Sequence, residues 1–326
     1  MYRIDDSSAV VVKPDYPAGG TPGFFTGCDA NAGHAGTICT PEFLNRVQEE
    51  IAGVIEGAAM ALNPADDKQM FAAIQLLIAS AAASEIGQCY LSKSGANLLL
   101  SPHDGNRLRI NGANAIIPAA GVTLPPAGLT PGTTYYIYAY MAAGVLTLEA
   151  STTAYTIQPG TGIPIKSADP TRTLVGMARP GAGPAWVDSA TQCFVLSWFN
   201  RRPKGISAVA TANRTLSSTT AVELHTELRS EFILWADTIP YLAIGYAANP
   251  VAQSSINTFL YVDGASTGRS GGTTTSAAQT NGGYVGAPIP GLSEGYHYVT
   301  VFGNNAAGSV TTFFPSSTYS VAVIQG

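Results

Sequence analysis

Three side chains near the beginning of the chain are of the types that bind zinc. Cys28, His34 and Cys39 lie close together in sequence, and thiolate sulfur and imidazole nitrogen are usual ligands of that metal. The set supplies three ligands rather than four, includes no Cys-x-x-Cys pair and lacks the spacing of a zinc finger. We therefore expect no bound metal, with Cys39 packed behind a helix start and His34 exposed. The alternative is that His34 side chains from three copies gather at a symmetry axis.

A second set of polar side chains occupies odd positions late in the chain. Glu223, His225, Glu227, Arg229 and Glu231 alternate with apolar residues, which places them on one face of a strand. Acids, a base and a cation suit general acid-base catalysis, but a catalytic carboxylate must face its partner across a substrate in a cleft. Opposite charges on one strand face pair across the sheet instead. The pattern predicts ion pairs on a solvent-facing or subunit-facing sheet.

A third set has the residue types of a hydrolytic triad. Ser101, His103 and Asp104 are close in sequence, but adjacent residues of an extended chain point apart, and Pro102 and Gly105 indicate a tight turn. The sequence also contains no glycine-rich phosphate loop, dinucleotide fingerprint or His-Glu-x-x-His string. We therefore predict that the chain is not an enzyme and has no catalytic, cofactor-binding or metal-binding residues.

The composition indicates a neutral, turn-rich protein with packed cores. Hydrophobic residues make up 46% of the 326 residues, charged residues only 11%, and glycine and proline number 35 and 21. The usual charged fraction is about a quarter, and the many aromatic and β-branched residues favour strands. A net charge of −5 argues against binding to nucleic acid. The one dense basic group, at residues 201–204, is predicted to be a solvated hinge between domains.

Targeting signals and membrane spans are not expected. The first residues, Met1–Asp6, lack the apolar run of a signal peptide. The most apolar window, residues 70–83, is shorter than the twenty or so residues that a bilayer crossing needs. Four scattered cysteines are typical of a protein assembled in a reducing cytoplasm, so no disulfides are assumed: Cys28, Cys39, Cys89 and Cys193.

Helix signals follow a segment rich in proline and glycine. Residues 1–39 are predicted to be an extended attachment arm. Thr40 can cap a helix that begins with Pro41 and Glu42. Its apolar residues recur at steps of three and four: Leu44, Val47, Ile51, Val54, Ile55 and Ala58.

A second helix is predicted to start at Asn63-Pro64 by the same cap-then-proline logic. One of its sides is lined by Met70, Phe71, Ile74, Leu77 and Ile78. Residues 40–88 are therefore predicted to form a helical hairpin with a connection of three or four residues. Because such a hairpin buries little by itself, we expect three copies to pack it around a threefold axis.

The remainder of the chain is predicted to be two β domains, residues 89–204 and 205–326, which makes the whole chain mainly β. The second is predicted to be a β-sandwich, with the jelly roll as one form. It begins with one long strand over residues 222–234, bent or bulged near its end, in which the apolar side chains take the even positions. Residues 264–283 are predicted to be an exposed loop, and binding residues are expected around residues 270–281. Trp235 is predicted to be in the core, whereas Trp186 and Trp198 suit either a core or a surface that stacks on sugar rings.

Several segments together resemble a known family. The string Pro-Glu-Phe-Leu-Asn-Arg-Val-Gln-Glu-Glu-Ile at residues 41–51, after a Gly/Thr-rich approach at 23–27, resembles the N-terminal segment of bacteriophage tail fibre and tail appendage proteins. The middle of the chain is similar to a β module of tail fibre proteins at residues 101–106, 135–140, 171–177 and 197–202. Residues 231–237 and 294–298 extend the resemblance to the end of the chain.

The resemblance implies a homotrimeric protein of the virion, a tail fibre or baseplate appendage that is assembled in the host cytoplasm. Its N-terminal arm would bind other tail or baseplate proteins. Its β domains would bind a host surface polysaccharide or a pilus, with no role in nucleic-acid binding or membrane insertion. The alternatives are a purely architectural strut without receptor contact, and a capsule-degrading spike, which the lack of a long repetitive β-helix disfavours.

Overall fold

The computed structural model describes residues 24–82, 86–183 and 185–326, together with positions 7, 9, 10, 12 and 14. The chain forms two compact units, Met1–Ser84 and Glu85–Gly326. The described residues contain two helices and twenty-three strands, so the prediction of a mainly β protein is confirmed. Neither described helix has the length and apolar character of a membrane span. The prediction about a signal peptide at residues 1–6 lies outside the described residues.

The described part of the predicted extended arm folds back on itself. The backbones of Asp29 and His34 exchange two hydrogen bonds, of 3.0 and 2.9 Å. Between them, the Asp29 carboxylate accepts from the backbone of Asn31 and Ala32, and Gly33 adopts a positive φ of 71°. An Asx turn followed by a glycine reverses the chain. The segment that was expected to be extended is therefore a turn over these residues.

Helix α1 (Pro41–Gly57) begins where the sequence predicts. The Thr40 hydroxyl accepts a hydrogen bond from the backbone N–H of Phe43 at 3.5 Å, and Pro41 occupies the first helical position. The cap satisfies one of the amides that a helix start leaves without an intrahelical partner. The predicted start signal is confirmed.

Helix α2 (Gln69–Ala82) begins later than predicted. The Asn63 side chain accepts from the backbone of Ala65 at 3.0 Å. The Gln69 side chain accepts from the backbone of Asn63 at 2.8 Å and donates to the carbonyl of Ala61. These bonds hold residues 61–68 as a turn, so the predicted connection of three or four residues is wrong. Asx turns compete with helix starts because both use the same side-chain oxygen.

Much of the apolar surface of both helices stays exposed. Ala52, Ile55 and Ala73 are buried. Nine larger apolar side chains are 39–64% exposed: Phe43, Leu44, Val47, Met70, Phe71, Ile74, Leu76, Leu77 and Ile78. This helical unit therefore buries only a narrow part of its apolar surface.

The second unit begins with two small sheets. One has the order β1 (Cys89–Ser94), β2 (Asn97–Pro102), β5 (Val122–Leu124), and the other is the hairpin of β3 (Arg107–Ile110) and β4 (Ala113–Ile116). Asn111 and Gly112 connect β3 to β4 with φ angles of 49° and 76°. Positive φ at both positions is the type I′ geometry that an Asn-Gly pair favours.

A six-stranded sheet follows, with the order β7, β6, β10, β9, β8 and with β12 beside β10. Its strands are β6 (Tyr135–Ala142), β7 (Val145–Ser151), β8 (Tyr155–Ile157), β9 (Pro164–Lys166), β10 (Asp169–Ala178) and β12 (Val195–Ser197). One core joins it to the small sheets, and its fully buried residues include Leu91, Ile137, Val175 and Val195.

Two further six-stranded sheets complete the chain. The first contains β11 (Gln192–Cys193), β15 (Val222–Glu223), β16 (Ser230–Leu234), β18 (Ser254–Val262), β19 (Ala265–Thr275) and β21 (Gly295–Asn305). The second contains β13 (Pro203–Val209), β14 (Arg214–Leu216), β17 (Tyr241–Pro250), β20 (Asn281–Pro288), β22 (Thr311–Phe313) and β23 (Tyr319–Gln325).

The long strands of these two sheets enclose one hydrophobic core. In the first sheet the neighbours run β16, β21, β18, β19, and in the second they run β13, β23, β17, with β20 also paired to β17. Leu260 and Val301 from the first sheet share a core cluster with Ile244 and Phe313 from the second. The two sheets therefore face each other, which leaves each with one outward face.

Two secondary-structure predictions for this region are wrong, one of a strand and one of a loop. Residues 222–234 are not one strand, because a turn of 3-10 helix at Thr226–Leu228 separates β15 from β16. His225 caps this turn by accepting from the backbone of Glu227 at 3.2 Å.

Residues 264–283 are not one loop, because most of them form β19 and the start of β20. The threonines of β19 suit a strand, and pairing with β18 supplies its backbone hydrogen bonds. The low apolar content of the segment gave no sign of this pairing.

Aromatic rings pack where the middle strands meet the last two sheets. The Trp198 ring meets Trp235 at 5.0 Å and Tyr155 at 4.9 Å, each edge to face. The Arg201 guanidinium lies 4.5 Å from the Trp198 ring centroid. Glu294 accepts from the hydroxyl of Tyr155 at 3.2 Å. We call these five residues the junction cluster.

The predicted boundary at 204/205 falls inside β13, close to this cluster. Arg201 also forms an ion pair with Asp237, in which one guanidinium nitrogen donates to both carboxylate oxygens at 2.7 and 2.9 Å. Lys204 donates to Asp188 at 2.7 Å and to the carbonyl of Val195 at 2.8 Å. The interpretation of residues 201–204 as a solvated hinge is therefore wrong, since their charges tie segments together.

Candidate functional site

The three zinc-type residues do not form a metal site in this structure. Cys28, His34 and Cys39 are all exposed, so Cys39 is not packed behind the helix start as expected. Among the described residues no group of three or more His, Cys, Asp or Glu side chains is arranged to hold a metal ion.

The triad-type residues have separate partners. The Ser101 hydroxyl donates to the carbonyl of Tyr90 at 3.3 Å. His103 Nδ1 lies 3.0 Å from an Asp104 carboxylate oxygen, in a geometry that forms no hydrogen bond, and its other ring nitrogen contacts Arg202. Asp104 has a positive φ of 52°, in agreement with the predicted tight turn. The serine therefore has no hydrogen bond to the histidine.

The charged set of residues 223–231 divides into two groups of ion pairs. Arg229 binds Glu223 with two hydrogen bonds of 2.7 Å each, and these bonds lower the pKa of Glu223. Glu227 instead turns toward Arg214, whose Nε donates to it at 2.5 Å. The hydrogen bond from Arg214 lowers the pKa of Glu227 to about 2. The predicted single row is wrong, because the 3-10 turn rotates His225 and Glu227 away from the others.

The outward face of the first sheet combines aromatic rings with amides and hydroxyls. The Tyr261 and Phe302 rings stack at 3.8 Å with planes 8° apart. The Arg229 guanidinium lies 4.4 Å from the Tyr298 ring centroid. We call this surface the polar aromatic face, and its half-exposed members on β18 and β21 are Asn257, Phe259, Tyr261, Tyr296, Tyr298, Phe302 and Asn304.

A pocket of about 350 Å³ adjoins this face at Tyr296. Arg179, just after β10, lies with its guanidinium carbon 4.0 Å from the Tyr296 ring centroid and 5.8 Å from that of Phe194. Burial lowers the pKa of Arg179. We call this the Arg179 pocket, and its other lining residues include Pro131, Gly132, Ala182, Gln192 and Glu231.

One carboxylate organises the wall of the Arg179 pocket. Gln192 Nε2 donates to one oxygen of Glu231, and the Tyr296 hydroxyl donates to the other. Burial and this hydrogen bond raise the pKa of Tyr296. Because each carboxylate oxygen can accept two hydrogen bonds, Glu231 keeps acceptor capacity for a ligand.

The outward face of the second sheet is free of charged side chains in its central rows. Three rows cross β13, β23, β17 and β20 without an Asp, Glu, Lys or Arg. We call this the neutral face, and its members are Gly205, Ser207, Val209, Tyr241, Ala243, Gly245, Tyr284, Gly286, Pro288, Tyr319, Val321 and Val323.

Glycines let tyrosine side chains lie close against the neutral face. A Cβ at Gly245 would lie 2.4 Å from the Tyr319 ring, and one at Gly286 would lie 2.5 Å from the Tyr241 hydroxyl. The Tyr241 and Tyr284 hydroxyls are 2.9 Å apart, and this hydrogen bond raises the pKa of Tyr284 to about 12. The result is a smooth surface of small and aromatic side chains.

Sequence reasoning missed both the Arg179 pocket and the neutral face. The prediction that Trp235 is in the core is confirmed. Of the two tryptophans that suited either a core or a surface, Trp186 is buried and Trp198 lies in the junction cluster. The two-residue alternation at residues 296–302 could have indicated the polar aromatic face. The sequence around Arg179 does not predict its role in the pocket, because the contact with Tyr296 arises only when strands distant in sequence come together.

Comparison with known proteins does not assign this chain to a family. No protein-family model matches it, and no curated protein sequence matches it. Similar solved structures include dimeric latent PorU from Porphyromonas gingivalis, with 10% identity and a TM-score of 0.27 over 62% of this chain and 20% of that one. The insecticidal delta-endotoxin Cry8Ea1 from Bacillus thuringiensis has 8% identity and a TM-score of 0.26 over 73% of this chain and 52% of that one.

Infectious bursal disease virus, Gx strain, provides a third similar structure. It has 13% identity and a TM-score of 0.27, covering 72% of this chain and 70% of that one. This chain thus spans about a fifth of PorU and about half of the endotoxin. Similarity at this level identifies neither a shared family nor a shared activity.

The Glu227–Arg214 ion pair predicts a pH-dependent contribution to stability. The pKa of Glu227 is about 2 in the folded chain and about 4.3 in an unfolded one. A depressed pKa stabilises the fold above the unfolded value, and this contribution is lost as the pH falls from about 4.3 to about 2. At pH 7, Glu227→Gln should lower the melting temperature by about 1–2 °C, the size expected for a solvated ion pair.

Arg214→Gln should give a similar loss at pH 7, and the double variant should lose little more than either single one. Thermal melts followed by circular dichroism at pH 7 and pH 2 measure these effects. At pH 2 the difference between wild type and Glu227→Gln should be nearly absent. An equal difference at both pH values would show that the ionised carboxylate is not responsible.

Proposed function

We propose that this chain is a structural protein of a phage tail, a tail fibre or baseplate appendage that attaches the virion to the host surface by binding. The observation that carries the proposal is the exposed apolar surface of α1 and α2, in a chain whose second unit, Glu85–Gly326, has packed cores of its own and is here called the β unit. Helices of this kind need a partner, whereas the β unit offers outward faces for binding. The resemblance at residues 41–51 supports the same assignment.

The assembly in this proposal is a homotrimer. Exposed Phe71 and Ile78 on α2, with Leu44 on α1, give each copy apolar surface that like copies would cover around a threefold axis. The neutral face supplies a second surface suited to a copy of the same chain, because no charge there has to be desolvated.

The fold within this proposal is a jelly-roll β-sandwich. Eight strands enter the two sheets in chain order β13, β16, β17, β18, β19, β20, β21, β23. They pair as β13-β23-β17-β20 and β16-β21-β18-β19, which is the alternation of two Greek keys folded together. The architecture places connecting loops at both ends and one outward face on each sheet.

In the virion, the N-terminal segment would join other tail or baseplate proteins, and the β unit would face the host. The receptor in this proposal is a surface polysaccharide or a pilus. A trimer would bind through three weak sites at high effective concentration, which raises the avidity by about a hundredfold or more when the geometry permits.

The neutral face also favours a second candidate function, a purely architectural strut. A charge-free sheet face suits permanent contact with another tail protein as well as with a copy of the chain. A strut of this kind would hold its neighbours without contacting the host.

The trimer predicts a definite mass in solution. Sedimentation equilibrium of the full-length protein should give about three times the chain mass of 33.6 kDa. The double variant Phe71→Ser, Ile78→Ser should weaken association by at least about tenfold, because two apolar contacts are lost. The control Gln75→Ser alters an exposed polar position on the same helix and should not. A monomeric wild-type protein would contradict the trimer.

Attachment by binding predicts competition with the virion. Purified full-length protein, added to the host strain before infection, should lower the adsorption rate of the phage that carries it. The reduction should follow the protein concentration until it saturates. Unchanged adsorption at saturating protein would reject host attachment and leave the strut.

A further inference from the structure

The Arg179 pocket offers hydrogen-bond donors that the protein does not pair with a carboxylate. Among the described residues, no acidic group lies within ion-pair range of the Arg179 guanidinium, although the charge of Glu231 acts on it. Its guanidinium carbon lies over the Tyr296 ring, 4.0 Å from the ring centroid. An arginine stacked in this way keeps the N–H groups of its edge for a ligand.

The same pocket also offers hydrogen-bond acceptors, which are the carboxylate oxygens of Glu231. Each Glu231 oxygen accepts one hydrogen bond, from Gln192 or from Tyr296, and each can accept a second. One cation and one anion therefore line the pocket, and their charges sum to zero. A charged ligand would meet a like charge in either case, whereas neighbouring hydroxyl groups can accept from Arg179 and donate to Glu231.

The size and surroundings of the pocket suit one ring of a longer ligand. A volume of about 350 Å³ is at the lower end for small-molecule sites. From Tyr296 the half-exposed aromatic side chains of β21 continue through Tyr298 to Phe302, a distance of about 20 Å at the rise of a strand. Polar groups accompany this aromatic row: Arg229 lies beside Tyr298 and is paired with Glu223, which also accepts from the buried Thr300 hydroxyl, and Phe302 stacks on Tyr261.

We propose that the Arg179 pocket and the adjoining row of β21 bind an uncharged oligosaccharide. One sugar ring occupies the pocket, where its hydroxyl groups bind Arg179, Gln192 and Glu231. The following rings lie along Tyr298 and Phe302, whose aromatic surfaces suit the C–H faces of sugars. This inference rests on the proposed function, for which it names the receptor class.

An array of immobilised oligosaccharides tests the ligand class with the full-length protein. The array carries neutral hexose and N-acetylhexosamine oligomers of one to six rings, and matching oligomers that contain uronic acids. We expect binding to neutral oligomers, increasing from one ring to several. Binding to acidic oligomers alone, or to none, would overturn the proposal and would favour a protein receptor such as a pilus.

Variants of the pocket test the site. Arg179→Ala removes the charge and the donors, and Arg179→Lys retains the charge but not the fork of donors. Each should therefore weaken binding by at least about tenfold. The matched control is Arg269→Ala, at an exposed arginine on β19, which should bind as the wild type does. Ala182→Trp should also abolish binding by filling the pocket from its exposed rim, and because the change is at the rim it should leave the stacking of Arg179 on Tyr296 in place. Binding retained by both Arg179→Ala and Ala182→Trp would place the sugar site elsewhere.

The array and the adsorption assay separate this inference from the proposed function. Wild-type protein that blocks adsorption but binds no neutral oligomer would overturn the sugar site and keep host attachment. Protein that binds neutral oligomers through Arg179 but does not block adsorption would keep the sugar site and overturn host attachment. If the sugar site and host attachment are both correct, the Arg179→Ala protein should also lose most of its ability to lower phage adsorption.

Discussion

The junction cluster is the contact on which the shape of the β unit depends. Trp235, at the end of β16, lies edge to face against Trp198, and Arg201 covers both rings at 5.1 and 4.5 Å. Glu294 closes the cluster by accepting from Tyr155 and from the backbone of Ala236. Truncating a fully buried tryptophan such as Trp235 costs about 3–5 kcal/mol. The middle strands and the last two sheets are therefore held as one body rather than as two domains on a linker.

This fixed arrangement explains where binding surfaces arise. The Arg179 pocket has walls from both sides of the junction, since Arg179 follows β10 whereas Glu231 and Tyr296 lie on β16 and β21. A flexible boundary would separate these side chains by more than a hydrogen bond tolerates. The two outward faces differ in chemistry: the polar aromatic face carries rings, amides and hydroxyls, and the neutral face has no charged side chains in its central rows. That difference suits one face for a ligand and the other for a protein neighbour.

Local signals predicted those elements that depend only on neighbours in sequence. Thr40 and Pro41 mark the start of α1, and Asn111-Gly112 marks a hairpin, because caps and type I′ turns are decided within a few residues. Signals failed where a local turn competes with a helix start, or where partners distant in sequence decide the structure. The start of α2 is delayed by the Gln69–Asn63 contact, and residues 265–275 become a strand through pairing with β18. The pocket could not be predicted because its members come from separate strands.

Native-state hydrogen exchange measures most directly whether the junction makes one cooperative unit. Amides of Ile137 and Val175, in the middle strands, should exchange through the same opening free energy as amides of Leu260 and Val301 in the last sheets. In Trp235→Phe both groups should lose the same protection, since the smaller ring loosens a shared contact. Middle strands that open at lower free energy, with Trp235→Phe affecting only the last sheets, would contradict a single body and show two independent domains.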